Sequence, residues 1–315
     1  MRLFRKAQKN AGWLTIAFLG DGIAAASVRR LPSAKPVVEL AMFYPGASAS
    51  SADALEKLGK DLQANRYQCT TLLGGGEYQL LAVDAPNVPP DELKIAVRWR
   101  LKDMLDFHVD DATIDVLEIP VDKAASARAG HGMFAVAARN SVIEMRQNLF
   151  TTAKLALSVI DIPEMAQRNI AALVEPDGKG LAMLSFTPDG GLLTVTFKGE
   201  LYLSRRIDIS QDQLMQPDHD KLHASFDRIT LELQRSLDHV DRQFHFINVA
   251  KLVLAPNLAP GLETYLSSNL YMPVESLDLA AVLDLAQVPE LAAIEQQQRF
   301  FLTLGAALRH EETLL

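Results

Sequence analysis

The sequence has little of what several common classes of protein require. Its 315 residues include one cysteine, Cys69, so neither an internal disulfide nor a cysteine-based zinc site can form. No apolar run reaches the ~18–20 residues that a membrane-spanning helix needs. The nearest run, Leu14–Val28, is interrupted by Asp21 and by glycines. A chain of this kind is expected in the cytoplasm.

Positive charge is also sparse. Lys and Arg number 31 against 39 Asp and Glu, a formal net charge of −8, which disfavours a nucleic-acid partner. The exception is the basic start Met1–Lys6, which no signal-peptide core follows. Its cations, with Leu3 and Phe4, could contact anionic lipid, although a frayed terminus is the simpler interpretation.

What the chain does contain is ordinary globular composition, with 49% apolar and 22% charged residues and a length that suits two domains. One pattern occurs twice, namely three strand-like segments followed by an amphipathic helix. The first set is Leu14–Leu19, Ile23–Arg29 and Val37–Phe43 with a helix around 52–64; the second is Leu181–Thr187, Leu192–Phe197 and Leu201–Ile207 with a helix around 222–246. Two such α/β halves normally clamp a nucleotide between hairpin turns that carry acids, hydroxyls and glycines.

A further unit separates the two halves. Prolines end the strand Tyr78–Val83 and start an amphipathic helix that runs to about Leu105. Two strands, a capped helix and another strand follow, near 113–119, 133–138, 141–152 and 155–160. The sequence therefore predicts that Pro89–Asp161 is a compact inserted unit. Its first helix should bury an apolar face made of Leu93, Val97 and Leu101.

Several phrases, in their order and spacing along the chain, resemble the PilM-type pilus assembly proteins. They are Val88–Leu93, Arg98–Asp103, Val109–Ala112 before Asp115, Ala137–Arg139 with Val142–Glu144, Ser158–Glu164, Ser204–Ile207 and Leu233–Asp238. The resemblance covers nearly the whole chain. Within the family it is strongest to the MshI branch, which serves the mannose-sensitive haemagglutinin (MSHA) type IV pilus.

The resemblance implies an actin-like α/β fold with two lobes, related to FtsA. Residues 11–88 and 162–174 would form the first lobe (subdomain 1A), and residues 89–161 the inserted subdomain 1C. Residues 175–315 would form the second lobe (2A), with a reduced subdomain 2B around 210–248. The family docks to an inner-membrane platform, so a peripheral location at its cytoplasmic face is expected.

The resemblance also implies a partner. In the family, a groove between 1A and 1C receives the N-terminal cytoplasmic tail of a PilN-like membrane protein. The strand at 78–83 and the helix from Pro90 would border that groove, which makes the predicted partner-binding residues Tyr78, Leu80, Arg98, Trp99 and Arg100. Trp99 could instead be a core residue. Other pilus platform proteins and the assembly ATPase are further candidate partners.

The family's first nucleotide-binding hairpin is degenerate in this sequence. ATP-binding members carry Asp-x-Gly at the end of the first strand, whereas this chain has Phe18 and Gly20. Alanines follow where hydroxyls and a lysine would lie. Asp21 could replace the missing acid, but an aspartate between two glycines is ordinarily a turn residue.

The other two nucleotide-binding segments depart from the family as well. Asp189 and Gly191 match Asp-x-Gly in the second hairpin, but they follow Pro188, which favours a hairpin tip. Ala255 to Asn257 replaces a glycine pair that would approach the adenosine, and the proline between them fills that space. We therefore expect a scaffold with no cofactor, no metal site and no catalysis.

Two other functions stay open from the sequence. One is an ATP-binding actin-like switch or weak ATPase in pilus or type II secretion assembly, with Mg²⁺-ATP as its cofactor. The other is the cytoplasmic part of a type II secretion L protein, against which the lack of a C-terminal membrane span in this sequence speaks.

Overall fold

The computed structural model describes residues 12–46, 51–89, 91–121 and 132–310. The basic segment Met1–Lys6 and Pro90 lie outside these residues. No helix in the described ranges is both long and apolar enough to cross a membrane. The strands of the described chain form two five-stranded sheets and one three-stranded sheet, which we name sheets I, II and III.

Sheet I has the strand order β3-β2-β1-β4-β8. Its strands are β1 (Trp13–Leu19), β2 (Gly22–Leu31), β3 (Ala34–Pro45), β4 (Gln68–Leu72) and β8 (Leu157–Asp161). β1 to β3 are joined as antiparallel hairpins, whereas β4 runs parallel to β1 and β8 parallel to β4. Helices α1 (Ala52–Asp61) and α3 (Asn140–Thr152) cover one face, where Leu14, Ile16 and Leu55 are fully buried.

Sheet II repeats this topology with the order β11-β10-β9-β12-β13. Its strands are β9 (Gly180–Thr187), β10 (Gly190–Phe197), β11 (Glu200–Ile207), β12 (Val249–Leu254) and β13 (Val274–Ser276). Three helices accompany it: α5 (Gln211–Leu214), α6 (His219–Gln243) and α7 (Leu262–Asn269). The Asp218 side chain caps α6 by accepting from the backbone N–H groups of Asp220 and Lys221. The repeated sequence pattern thus corresponds to two sheets of the same topology.

Sheet III is the three-stranded sheet, with the order β5-β7-β6. Its strands are β5 (Tyr78–Asp84), β6 (Ala112–Glu118) and β7 (Gly132–Arg139), and helix α2 (Leu93–Leu101) covers one face. Val97 and Leu101 are fully buried there, as predicted, whereas Leu93 is only partly buried.

Two strands join different sheets from those that the sequence suggested. β8 was expected in the inserted unit, but it pairs with β4 at the edge of sheet I. β5 was expected in the first lobe, but it pairs with β7 in sheet III. The apolar pattern of a strand reflects burial, and it does not encode which distant strand lies beside it.

Two helices cross between sheets I and II at very close range. They are α4 (Pro163–Ala171) and α8 (Ile294–Ala307). A Cβ atom at Gly305 would lie 2.2 Å from the carbonyl oxygen of Ala166, so only glycine fits. The Asn169 amide donates to the Gly305 carbonyl over 2.9 Å. On its other side α4 is fixed to sheet II, because the Gln167 amide donates to Met183 O and Thr194 Oγ1, both at 2.9 Å.

A polar cluster around the buried Glu164 carboxylate joins sheet III, helix α4 and sheet II at one point. Tyr78 on β5 donates its hydroxyl hydrogen bond to Glu164 on α4, and Arg206 on β11 contacts both groups. The Arg206 guanidinium lies 3.0 Å from the Glu164 carboxylate, which is 1% exposed. A buried carboxylate needs such partners, because an unpaired buried charge is strongly unfavourable. The cluster therefore fixes sheet III against both α4 and sheet II.

The α4–α8 crossing predicts that Gly305→Ala destabilises the protein by about 1–3 kcal/mol or more, the usual cost of overpacking a core. In an open helix the same change would be stabilising, since alanine is the better helix former. Urea unfolding measures the difference. Gly20→Ala is the control, because a Cβ atom at Gly20 meets nothing within 4 Å. An unchanged or raised stability of Gly305→Ala would show that the helices do not touch here.

The polar cluster predicts that Tyr78→Phe lowers the free energy of unfolding by about 1–3 kcal/mol, because Glu164 loses a buried donor. Tyr67→Phe serves as the control and should change stability by less than about 0.5 kcal/mol. Equal effects of the two changes would contradict the assigned role of the Tyr78 hydroxyl.

The same cluster predicts a pH dependence. Burial, together with the charge of Glu164, raises the pKa of Tyr78 above the ordinary tyrosine value of 10.0. Above about pH 10 the unfolded chain releases this proton and the folded chain keeps it, so the free energy of unfolding falls as the pH rises. Tyr78→Phe should remove about 1.4 kcal/mol in total from that fall between about pH 9 and 11, measured by urea unfolding.

Candidate functional site

A groove lies between sheet III and the free edge of sheet I. Its volume is about 270 Å³. It is lined by Thr113 and Asp115 of β6, Val136 and Ala138 of β7, Ile143 and Gln147 of α3, Leu157 to Ile160 of β8, and Leu73 and Ile162. The groove therefore has an apolar floor with polar groups along its borders.

Both strands that border the groove have an unpaired edge. Within the described ranges β6 is hydrogen-bonded only to β7, and β8 only to β4. A free strand edge offers a row of backbone N–H and C=O groups, and an extended peptide can add to it as a further strand. The groove thus combines main-chain hydrogen-bonding groups with an apolar floor.

Two polar side chains at the groove, Asp115 and Thr113, each contact another side chain of the protein. The Asp115 carboxylate lies 2.8 Å from the Lys94 ammonium and its side chain is 70% exposed, so it can still accept from a ligand. Thr113 donates to the side-chain oxygen of Asn140 over 2.8 Å. A peptide that alternates apolar side chains with polar or basic ones matches this surface.

The structure divides the five predicted partner-binding residues between two faces of sheet III. Tyr78 and Leu80 pack with Ile162 and Met165, on the face toward the groove. Helix α2, which carries the other three, covers the opposite face. The five residues therefore do not line one groove.

The contacts of the three α2 residues explain their positions. Arg98 donates to the carbonyl oxygens of Val109 and Ala112, at 2.6 and 2.9 Å, and Arg100 donates to that of Asp84 at 3.0 Å. Trp99 is 71% exposed, so its interpretation as a core residue is wrong. The amphipathic sequence pattern of α2 predicts an apolar and a polar face. It does not predict which part of the protein packs against either face.

The region at the end of β1 is occupied by side chains of the protein itself. The Arg146 guanidinium lies 4.6 Å from the ring centre of Phe18, which also meets Phe150 edge-on. Arg146 pairs with Glu77 over 2.8 Å, and Glu77 accepts from the backbone N–H of Gly74 over 2.7 Å. These contacts link α3, β1 and the loop after β4.

The acids of the two hairpin turns have partners of their own. Asp21 pairs with Arg299 of α8 at 2.7 Å. Asp189 accepts from the backbone N–H of Gly75 over 3.3 Å, so the turn between β9 and β10 contacts the loop after β4. Gly20 lies in open space. As the sequence suggested, both acids lie in turns.

The remaining degenerate positions have local structural roles. A Cβ atom at Gly191 would lie 2.9 Å from the Phe186 ring, so this glycine permits close packing. Asn257 donates to the carbonyl of Ala255 and accepts from the N–H of Ala259, which closes a turn. Within the described part of the chain, no group of three or more His, Cys, Asp or Glu side chains is placed to hold a metal ion.

None of the residues that line the groove was among the partner-binding residues predicted from the sequence. β6, β7, α3 and β8 each contribute apolar or small polar side chains that resemble ordinary core or surface residues. The useful signal would have been the unpaired edge of β8, and that becomes visible only once the strand order is known.

Comparison with known proteins finds similarity at the level of structure. No protein-family model and no curated protein matches the sequence. The chain is similar to a structure described as the "PilM-PilN type IV pilus biogenesis complex", with a TM-score of 0.74 and 18% identity over 95% of this chain and 98% of that one.

Two further structures share the fold more distantly. One is the cytoplasmic domain of EpsL, an inner-membrane component of the type II secretion system of Vibrio cholerae, with a TM-score of 0.50 and 13% identity over 97% of this chain and 98% of that one. The other, from Bacteroides thetaiotaomicron, has an actin-like ATPase fold and unknown function, with a TM-score of 0.50 and 10% identity over 93% and 99% of the two chains. The chain therefore has the actin-like α/β fold predicted from its sequence.

Proposed function

We propose that this protein is a non-enzymatic scaffold of a type IV pilus assembly platform of the MSHA kind, peripheral to the inner membrane at its cytoplasmic face. Its groove between sheets I and III would bind the N-terminal cytoplasmic tail of a PilN-like membrane protein. The observation that carries the proposal is the groove itself, which is bordered by two strand edges without a partner strand in the described part of the chain. The similarity to a structure of PilM with PilN supports the choice of partner.

The tail would bind as an added strand. Its backbone would pair with the free edge of β8 or β6, which needs no particular sequence. Specificity would come from side chains, since every second residue of a strand points to the same face. Those directed inward would contact Val136, Ile143 and Val159, and a basic or amide side chain directed outward would meet Asp115.

We further propose that the protein does not bind nucleotide. A Mg²⁺-nucleotide would need acceptors and hydroxyls at the end of β1, where this chain has Phe18 against Arg146. Asp21 and Asp189 are engaged by Arg299 and by the Gly75 backbone. The residues present therefore do not fit the ligand, and no step of the proposed function uses one.

Titration calorimetry with the partner's tail peptide tests the groove. Ile143→Glu should weaken binding at least about tenfold, because a charge would be buried against an apolar side chain of the peptide. Met145→Glu on the same helix is the matched control, since Met145 is 54% exposed and does not line the groove. Asp115→Lys should weaken the binding of a basic tail peptide and leave the binding of an uncharged one unchanged.

The Trp99→Ala variant distinguishes tail binding in the groove from tail binding on the α2 surface, which the sequence predicted. The groove proposal expects this variant to bind the tail normally, because α2 lies on the other face of sheet III. Loss of binding in Trp99→Ala, with Ile143→Glu unaffected, would place the tail on α2 instead and refute the groove.

Thermal unfolding with Mg²⁺-ATP tests the nucleotide proposal. We expect no change in melting temperature at millimolar nucleotide. A ligand bound only by the folded state would stabilise it by about 2.7 kcal/mol at 100 times its Kd, which is readily detected. A clear increase that Asp189→Ala abolishes would show that the protein still binds ATP and would favour the switch or ATPase.

A further inference from the structure

The outer face of α2 carries two large apolar side chains that are mostly exposed. Ile95 is 62% exposed and Trp99 is 71% exposed, and the two lie about one helical turn apart. Each is two residues from Val97, which is fully buried against sheet III, so both point away from that sheet. Large apolar side chains that are neighbours on an exposed surface are typical of a contact with another molecule.

A charge of opposite sign lies at each end of this apolar pair. Glu92 precedes Ile95 by three residues, and Lys102 follows Trp99 by three. Both charged residues are exposed, and neither side chain has an ion pair with another described residue. Both also have helical backbone angles, so they continue the surface of α2. We name these four residues the α2 stripe: Glu92, Ile95, Trp99 and Lys102.

The spacing of the α2 stripe is the same from either end. Its members are separated by three, four and three residues, which is the spacing of the contact positions in a coiled coil. Two antiparallel copies of α2 therefore place Glu92 of one beside Lys102 of the other, and Ile95 beside Trp99. The stripe is about 15 Å long, so the two ion pairs would lie at opposite ends of an apolar centre.

The other charged residues of this segment are compatible with that arrangement. The Lys94 ammonium lies 2.8 Å from a carboxylate of β6, and Arg98 and Arg100 donate to backbone carbonyls. Asp91 and Asp103 lie on opposite flanks of the stripe, about 60° to either side at 100° per residue. Two-fold symmetry leaves these two acids on opposite sides of the contact, so they do not face each other.

We propose that two copies of this protein associate through the α2 stripe as an antiparallel, two-fold symmetric dimer. A second copy is the partner that the stripe fits, because the stripe is complementary to itself in both charge and spacing. A parallel arrangement would place Glu92 against Glu92 and Lys102 against Lys102. The charges therefore select the antiparallel one.

The dimer should be weak and should not affect the groove. One helix from each copy makes a small interface, for which we expect a Kd on the order of tens of micromolar. Helix α2 and the groove lie on opposite faces of sheet III, so the proposal does not depend on the groove or on its partner.

Sedimentation velocity of the full chain tests the dimer. Between about 2 and 300 µM the sedimentation coefficient should rise from the value of a monomer to that of a dimer. A chain that remains monomeric at about 300 µM would overturn the proposal.

The Trp99→Glu variant locates the contact. It should weaken the dimer at least about tenfold, because it places a charge at the apolar centre. Leu231→Glu is the matched control, since Leu231 is 45% exposed on α6, outside the stripe. Unfolding midpoints of both variants should match the parent. An equal loss of association in both variants, or none in Trp99→Glu, would show that the stripe is not the contact.

A charge exchange tests which residues meet. Glu92→Lys gives a chain with lysine at both ends of the stripe, and Lys102→Glu gives one with glutamate at both ends. Each variant alone should dimerise about fivefold more weakly or worse, because both ion pairs become like-charge contacts. An equimolar mixture of the two should dimerise as the parent does, since opposite charges then meet at both ends.

The same variants distinguish the orientation of the two helices. In a parallel pair, either single change would replace one like-charge contact by another and leave the Kd unchanged. Unchanged association of the single variants would therefore contradict the antiparallel dimer. A mixture that associates no better than its components would show that residues 92 and 102 do not meet, and it would also refute the proposal.

Discussion

The close contact of α4 and α8 determines how the two large sheets are placed. Gly305 leaves no room for a side chain against the Ala166 backbone, so the two helix axes cannot separate or approach without loss of packing. α8 packs on sheet I, and α4 is hydrogen-bonded to sheet II through buried Gln167. Since α4 directly follows β8, the same contact also sets the position of the groove edge.

Buried polar groups also fix the position of sheet III. Glu164 lies on α4 and is bound by Tyr78 of β5 and Arg206 of β11, so one carboxylate fixes sheets II and III against α4. Replacing such a group leaves an unpaired buried charge or donor, which makes the geometry specific as well as stable. The groove is therefore a fixed feature of the junction, and a peptide would find its strand edges already positioned.

The region at the end of β1 and the groove differ in their contacts. At the end of β1, Arg146 contacts both Phe18 and Glu77. In the loop after β4, the backbone N–H of Gly75 donates to Asp189. In the groove, the borders are strand edges and small polar side chains with exposed surface. The proposed peptide groove is thus separate from the end of β1, where side chains of the protein are in contact with one another.

The sequence by itself determined the local features: the repeated strand–helix pattern, the buried Val97 and Leu101, and the absence of an acid at Phe18. These depend on neighbouring residues, whose periodicity and turn chemistry are readable. Only the tertiary structure decided that β8 and β6 have free edges within the described residues, and that Trp99 faces solvent. Those features arise from contacts between segments far apart in the chain. The periodicity of apolar residues alone does not specify such contacts.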